Sequence, residues 1–122
     1  MILDAGPLIA IDRNRRSLAA LMGAALEADQ VLHTSEAIVA QVWRSPNQAN
    51  LSKALNSMEV HPEFGSGRHI GELLAKTGTL DPIDAHLAVL ARRINEPVLT
   101  SDVDDFSALA AETHIRVVRW RG

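Results

Sequence analysis

Four aspartates stand where a predicted strand ends or a predicted helix begins: Asp4, Asp84, Asp102 and Asp105. The carboxyl ends of parallel strands meet at one edge of a sheet, so these side chains are expected to lie together there. Clustered carboxylates repel one another unless a cation joins them. Oxygen-only ligands suit Mg²⁺ or Mn²⁺ rather than zinc or copper. The pattern therefore indicates a divalent metal site and points to metal-assisted phosphodiester chemistry.

Each aspartate also has a structural interpretation. Asp84 and Asp105 could be first-turn acids that are stabilised by a helix dipole, and Asp102 could cap a helix. Asp4 could close an Asx-turn before Gly6. The shared sheet edge favours the metal site, because nothing structural demands a charge directly after the apolar segments that precede Asp4 and Asp102. Both interpretations stay open at this point.

The length and composition of the chain predict one soluble, cytoplasmic domain over residues 1–122. The sequence is 47% hydrophobic and 22% charged, with no cysteine, so disulfides and cysteine chemistry are excluded. No apolar stretch reaches the roughly 20 residues of a membrane span. The net charge of −3 argues against a bulk nucleic-acid coat protein, although a local basic group could still bind an anionic substrate. The candidate substrate-binding residues are Arg13, Arg15, Arg16 and Arg44, although the first three could equally form a solvated helix face.

Short apolar segments alternate with helical patterns along the chain, which predicts an α/β fold. The expected architecture is a short parallel sheet of four to five strands with helices on both faces. The first strand is expected to end at Leu3-Asp4. The other strands are expected to occupy residues 31–33, 58–61, 97–100 and 115–118. Helices are expected over residues 8–11, 17–29, 47–57, 70–78, 82–95 and 106–111, with one more between a Thr34 or Ser35 cap and Pro46.

Other chemistry has little support in the sequence. The histidines (His33, His61, His69, His86 and His114) show no HxxxH or HxH spacing, so no zinc site is expected. His86 is interpreted as a helix-face residue rather than a catalytic base. A receiver-like phosphoacceptor domain also clusters aspartates at strand ends, but no lysine follows Lys76.

Three segments together resemble the acidic motifs of PIN-domain ribonucleases, especially the VapC-type toxins of bacterial VapBC toxin–antitoxin pairs. They are Asp4-Ala5-Gly6-Pro7-Leu8, Asp84-Ala85-His86-Leu87-Ala88 and Leu99-Thr100-Ser101-Asp102-Val103-Asp104-Asp105-Phe106. Their order and spacing match across essentially the whole chain. The resemblance implies a PIN-like three-layer fold and a metal-dependent endoribonuclease that acts as the toxin of a type II system.

The resemblance also assigns roles to the aspartates. Asp4 and Asp84 would bind Mg²⁺ or Mn²⁺ directly, and Asp102 would complete the metal site directly or through water. Asp105 would support these ligands or bind a second metal, although its role as a helix N-terminal acid stays open. The family places a glutamate where this chain has Gln41, and a neutral amide adds no charge for a cation. Glu36, the nearest acid, is a tentative replacement.

The partners that the resemblance implies are a VapB-like antitoxin, an RNA substrate and a second copy of the chain. The apolar helix positions Leu51, Leu55, Ile70 and Leu74 could serve such interfaces or belong to the core. Two alternatives to the toxin are an RNA-processing PIN nuclease and, because of Gln41, a catalytically silent PIN-like binding module.

Overall fold

The computed structural model describes residues 1–121, which contain one sheet of five parallel strands. The strands are β1 (Ile2–Leu3), β2 (His33–Ser35), β3 (Glu59–His61), β4 (Val98–Thr100) and β5 (Val117–Arg119). Their order across the sheet is β3-β2-β1-β4-β5, so the central strand is the first in the chain. The predicted short parallel sheet is confirmed.

Seven helices connect these strands within residues 1–121. They are α1 (Ala5–Asp12), α2 (Arg16–Glu27), α3 (Glu36–Val42), α4 (Ala49–Asn56), α5 (Gly67–Thr77), α6 (Pro82–Ile94) and α7 (Val103–Thr113). One group packs around α1, which contacts α2, α3 and α4, and the other consists of α5, α6 and α7. The connections from β1 through β2 to β3 run one way across the sheet, and those from β3 through β4 to β5 run the other way. Because crossovers between parallel strands are right-handed, the two helix groups lie on opposite faces. The three-layer α/β fold is thereby confirmed.

Local sequence signals set several helix ends as predicted. The Ser35 hydroxyl accepts a hydrogen bond from the Ile38 N–H (3.3 Å) at the start of α3. Pro82 occupies the first turn of α6, where its missing N–H removes no helical bond. Gly78 has a φ of 70° and ends α5 in the left-handed conformation that glycine adopts without strain.

Other boundaries differ from the sequence expectation. β2 begins at His33 rather than at residue 31, because the His33 N–H bonds the Met1 carbonyl and opens the pairing with β1 there. α3 ends at Val42, well before Pro46. The helix expected over residues 70–78 begins earlier, at Gly67, because the Ser66 hydroxyl accepts a hydrogen bond from the His69 N–H (3.3 Å) and caps α5.

The core lies on both sides of the sheet and contains the four helix positions that were candidates for an interface. Leu51 and Ile70 are fully or almost fully buried, while Leu55 and Leu74 pack against the core from its margin. These side chains therefore stabilise the fold rather than form an exposed docking face. Over residues 1–121, no helix is both long and apolar enough to cross a membrane.

Candidate active site

The strand order creates a crevice between β1 and β4. β2 and β3 lie on one side of β1, and β4 and β5, which come later in the chain, lie on the other side. Ligands bind to open parallel sheets outside the carboxyl ends of the strands, at the point where the order reverses. Asp4 directly follows β1, and Asp102 follows β4 after a single residue, Ser101. The fold thus brings two of the predicted site residues to this crevice.

Asp4 is held in place by the neighbouring strand. Its side chain is only 7% exposed, and its backbone N–H donates to the Leu99 carbonyl (3.0 Å). The Thr100 hydroxyl donates to Asp4 Oδ2 (2.8 Å) and accepts a hydrogen bond from the Asp102 N–H (3.0 Å). Thr100, itself fully buried, therefore fixes the Asp4 carboxylate and the backbone of Asp102 at the same time.

Helix capping does not account for the two aspartates that follow strands. Asp4 and Asp102 occupy the N-cap positions of α1 and α7, but neither side chain makes a capping hydrogen bond. Asp84 and Asp105 lie in the first turns of α6 and α7, where a helix dipole favours negative charge. For these last two residues, a structural and a functional role are compatible.

The aspartates are close enough to perturb one another. Burial first, and then the negative charges of Asp81, Asp4, Asp105 and Asp102, together raise the pKa of Asp84 to about 7. Burial also raises the pKa of Asp4, against hydrogen bonds from Thr100 and the Ala5 N–H, while Asp102 and Asp81 add repulsion. All the charges that act on Asp84 are carboxylates, so the site favours a cation.

Asp81 is a site residue that the sequence interpretation missed. Its carboxylate accepts hydrogen bonds from the N–H groups of Ile83 (2.8 Å) and Asp84 (3.4 Å), and so it caps α6. It also exerts the strongest charge effect on Asp84. An aspartate directly before a proline at a helix start is a recognisable cap signal that could have located it.

Glu36 and Gln41 are both exposed on α3. Glu36 is the first residue of that helix, and its charge is not among those that act on Asp4 or Asp84 within residues 1–121. Its proposed replacement of the family glutamate stays a prediction. Gln41 offers only its backbone carbonyl in a described contact, to the Arg44 guanidinium (3.0 Å).

The predicted substrate arginines lie away from the aspartates. Arg13, Arg15 and Arg16 are exposed at the turn after α1. Because α1 starts beside Asp4 and rises about 1.5 Å per residue, this turn is roughly 12 Å from the acidic crevice. The Arg44 guanidinium binds the carbonyls of Ala40 (3.0 Å) and Trp43 (2.7 Å) at the end of α3. Substrate binding by these four residues stays a prediction.

Two other basic residues lie nearer the carboxyl edge of the sheet. Arg119 is the last residue of β5 and pairs in register with Thr100, while Arg121 follows two positions later. Between them, the Trp120 N–H donates to the Thr100 carbonyl (2.8 Å). Both arginines are exposed. Their position beside Thr100 depends on strand pairing, which the sequence alone did not reveal.

One histidine agrees with the sequence expectation and two others differ from it. His86 is buried on α6, where it stacks on Phe64 and its Nδ1 donates to the Phe64 carbonyl (2.9 Å), so it is a packing residue. His33 and His61, by contrast, come together with Glu59 so that one donor atom of each lies within 4.8 Å of the others. These ligand-type side chains come from two strands, and spacing along the chain could not show them.

The fold and site define an α/β protein whose parallel sheet has an acidic crevice at its switch point, and this crevice favours a bound cation. The PIN domain family model matches residues 1–112, and the chain therefore belongs to the PIN domain family, whose members are nucleases. No curated protein sequence matches the chain significantly.

Solved structures with the same fold include VapBC2 from Rickettsia felis, bound to a promoter DNA fragment. It has a TM-score of 0.72 and 17% sequence identity, covering 98% of this chain and 98% of that one. PAE2754 from Pyrobaculum aerophilum gives a TM-score of 0.65 and 19% identity, covering 97% and 87%. FitAcB from Neisseria gonorrhoeae gives 0.57 and 15%, covering 95% and 94%. At these identities the likeness is one of fold.

Proposed function

We propose that this PIN domain is a Mg²⁺- or Mn²⁺-dependent endoribonuclease that acts as the toxin of a type II toxin–antitoxin pair. One observation carries the proposal: the buried Asp4 and the partly buried Asp84 are surrounded by further carboxylates at the sheet's switch point. Such an arrangement destabilises the metal-free fold, and metal-assisted phosphodiester hydrolysis gives a reason for it.

The residues of the crevice fit a hard divalent ion. Asp4, Asp84 and Asp102 would hold it, and Asp105 would support them or bind a second ion. The donors are oxygen atoms, as Mg²⁺ and Mn²⁺ prefer. Within residues 1–121, no three of the aspartates bring their carboxylate oxygens within 4.8 Å of one another, as His33, Glu59 and His61 do with their donor atoms. Mg²⁺ keeps several of its own waters, so carboxylates need not all touch it.

The chain prepares this site through hydrogen bonds and charge. Thr100 orients Asp4 Oδ2, so one metal-binding oxygen is fixed before the ion arrives. Asp84, with a pKa of about 7, is about half protonated at neutral pH in the metal-free protein and gives up that proton when a cation enters. A bound ion would supply Lewis acidity, by making the attacking water more acidic and offsetting negative charge on the phosphate.

The proposal includes three partners: a VapB-like antitoxin, an RNA strand and a second copy of this chain. The VapBC2 and FitAcB structures, which share the fold over 98% and 95% of this chain, support the antitoxin, and membership of a nuclease family supports a nucleic-acid substrate. For the RNA, the exposed arginines after α1 and at the end of β5 offer phosphate contacts at a distance from the metal.

The proposal is tested by expressing the wild type and Asp4→Asn briefly in a bacterial host and sequencing the ends of cellular RNA. We expect new RNA ends and growth arrest with the wild type only, because the asparagine removes the charge of the most buried ligand. Asp29→Asn is the matched control: the residue is exposed, and its φ of 56° is one that asparagine tolerates.

Other outcomes separate the alternatives. Cleavage by purified Asp4→Asn at the wild-type rate would overturn the nuclease assignment. Metal-dependent cleavage without growth arrest would favour an RNA-processing nuclease. A wild type that neither cleaves RNA nor binds Mn²⁺ at millimolar concentration would be a silent binding module.

A further inference from the structure

A second set of metal-ligand side chains lies on β2 and β3, outside the aspartate crevice. His33 Nδ1 lies 3.0 Å from His61 Nε2 and 3.8 Å from Glu59 Oε2. One donor atom from each of the three residues lies within 4.8 Å of the other two. The imidazole rings of His33 and His61 are stacked, with their centroids 5.2 Å apart.

The sheet itself brings these residues together. His33 pairs in register with Glu59, so the two side chains stand beside each other on one face. Glu59 and His61 are two residues apart on β3, and residues at that spacing project from the same face of a strand. The group is thus built on regular structure, which holds ligands more rigidly than a loop does.

The distances suit a tetrahedral transition-metal ion. With metal–nitrogen and metal–oxygen bonds of about 2.0–2.2 Å, two ligands of a tetrahedral ion lie about 3.4 Å apart. The observed separations from His33 Nδ1, 3.0 Å and 3.8 Å, fall on either side of that value. Shifts of about 0.4 Å would bring these two pairs to the tetrahedral separation, and the third pair, Glu59 with His61, lies within 4.8 Å and closes by side-chain rotation.

The donor chemistry points the same way. Two imidazole nitrogens at 3.0 Å cannot both carry a proton, so at least one already presents a lone pair. A tautomer change at the other ring moves its proton to the far nitrogen and frees the second lone pair. Two imidazoles and a carboxylate suit Zn²⁺ and similar ions, whereas Mg²⁺ seeks oxygen ligands alone.

We propose that His33, Glu59 and His61 form a second metal site, for Zn²⁺ or a similar divalent transition ion, with water in the remaining position. The Glu59 side chain is 60% exposed, which gives an ion access from solvent. His33 also lines a surface cleft of about 470 Å³, together with Met1, Glu96 and Arg116. A bound ion would cross-link β3, an edge strand of the sheet, to β2.

This site is separate from the proposed catalytic one. The charged groups that face His33 are the amino terminus, His61, Glu59 and Glu96, whereas those that face Asp84 are all aspartates. The His33 backbone N–H donates to the Met1 carbonyl before β1, and Asp4 follows the end of that strand. Glu59 and His61 lie on β3, with β2 between them and β1. The two sites can therefore be tested independently.

The test is a Zn²⁺ titration by calorimetry on the full chain without an affinity tag, in saturating Mg²⁺ to occupy the aspartates. We expect one Zn²⁺ per chain in the wild type and in Asp4→Asn. Glu59→Gln, an exposed and nearly isosteric change, should weaken binding about tenfold or more, and His61→Ala about 100-fold. His69→Ala, an exposed histidine on α5, is the control and should bind as the wild type does.

Co²⁺ in place of Zn²⁺ gives a second measurement, because tetrahedral Co²⁺ absorbs visible light far more strongly than octahedral Co²⁺. The strong band should appear in the wild type and in Asp4→Asn, and should be lost in His61→Ala. Zn²⁺ binding that survives both Glu59→Gln and His61→Ala would overturn the proposal. So would binding that disappears in Asp4→Asn, or no binding at micromolar Zn²⁺. None of these outcomes depends on RNA cleavage.

Discussion

Replacing Asp84 by asparagine should stabilise the metal-free protein, and more so at alkaline than at acidic pH. Burial and four neighbouring aspartates raise the pKa of Asp84 from 3.8 to about 7. Between these two pKa values the folded state keeps a proton that the unfolded state has released. The free energy of unfolding therefore falls as the pH rises through this range. Asparagine carries no charge at any of these pH values, so the variant escapes this contribution.

The size of the effect follows from the pKa difference. A shift from 3.8 to about 7 corresponds to about 4 kcal/mol, at about 1.4 kcal/mol per unit. Because Asp84 is only partly buried, solvent screening reduces the contribution to about 1–2 kcal/mol. More than half of that develops between about pH 5 and about pH 8. Between these two pH values, the free energy of unfolding of Asp84→Asn should therefore rise by about 1 kcal/mol relative to that of the wild type.

Urea denaturation in EDTA at about pH 5 and about pH 8 measures the effect through the two midpoints. Asp104→Asn is the matched control: it is an exposed first-turn residue of α7, and its charge is not among those that act on Asp84. A stability difference between Asp84→Asn and wild type that is equal at both pH values would refute the reasoning. Added Mn²⁺ should reverse the order of stability, because only the wild type keeps the ligand.

Two further substitutions test how the crevice is built. Thr100→Val removes the hydroxyl that orients Asp4 and should weaken Mn²⁺ binding about tenfold, as measured by calorimetry. The control is Thr34→Val, which removes a similarly buried hydroxyl that is bonded to the Leu3 carbonyl. It should leave Mn²⁺ affinity unchanged. Gly6→Ala puts a methyl group against the Ser101 side chain and should lower the free energy of unfolding by about 1–3 kcal/mol. Gly23→Ala, whose methyl group meets no atom within 4 Å, should instead stabilise α2, and equal effects of the two alanines would contradict the packing argument.

The sequence predicted the fold well because its signals are local. Apolar segments mark the strands, while Ser35, Gly78 and Pro82 mark helix ends by their own backbone preferences. The errors arose where a hydrogen bond to a distant part of the chain sets the end of an element. β2 starts at His33 because the backbone N–H of that residue donates to the carbonyl of Met1, directly before β1, although residues 31 and 32 are the more apolar ones.

The candidate site was predicted in part for the same reason. Asp4 and Asp102 follow apolar strands, so their meeting at one edge followed from the parallel sheet. The His33, Glu59 and His61 group depends on the register of β2 against β3. A shift of one residue would turn each side chain to the opposite face, and nothing in the spacing of the histidines fixes that register.

Part of the acidic charge of the crevice comes from a position that the sequence interpretation missed. Gln41, which stands where the family has a glutamate, made the site look one carboxylate short. Asp81 supplies a negative charge from the N-cap of α6, and its effect on Asp84 exceeds that of Asp4. Its hydrogen bonds to the Ile83 and Asp84 N–H groups fix this carboxylate where α6 begins. Asp81 therefore both caps α6 and raises the pKa of Asp84. The negative charge around Asp84 thus comes from the start of α6 as well as from the ends of β1 and β4.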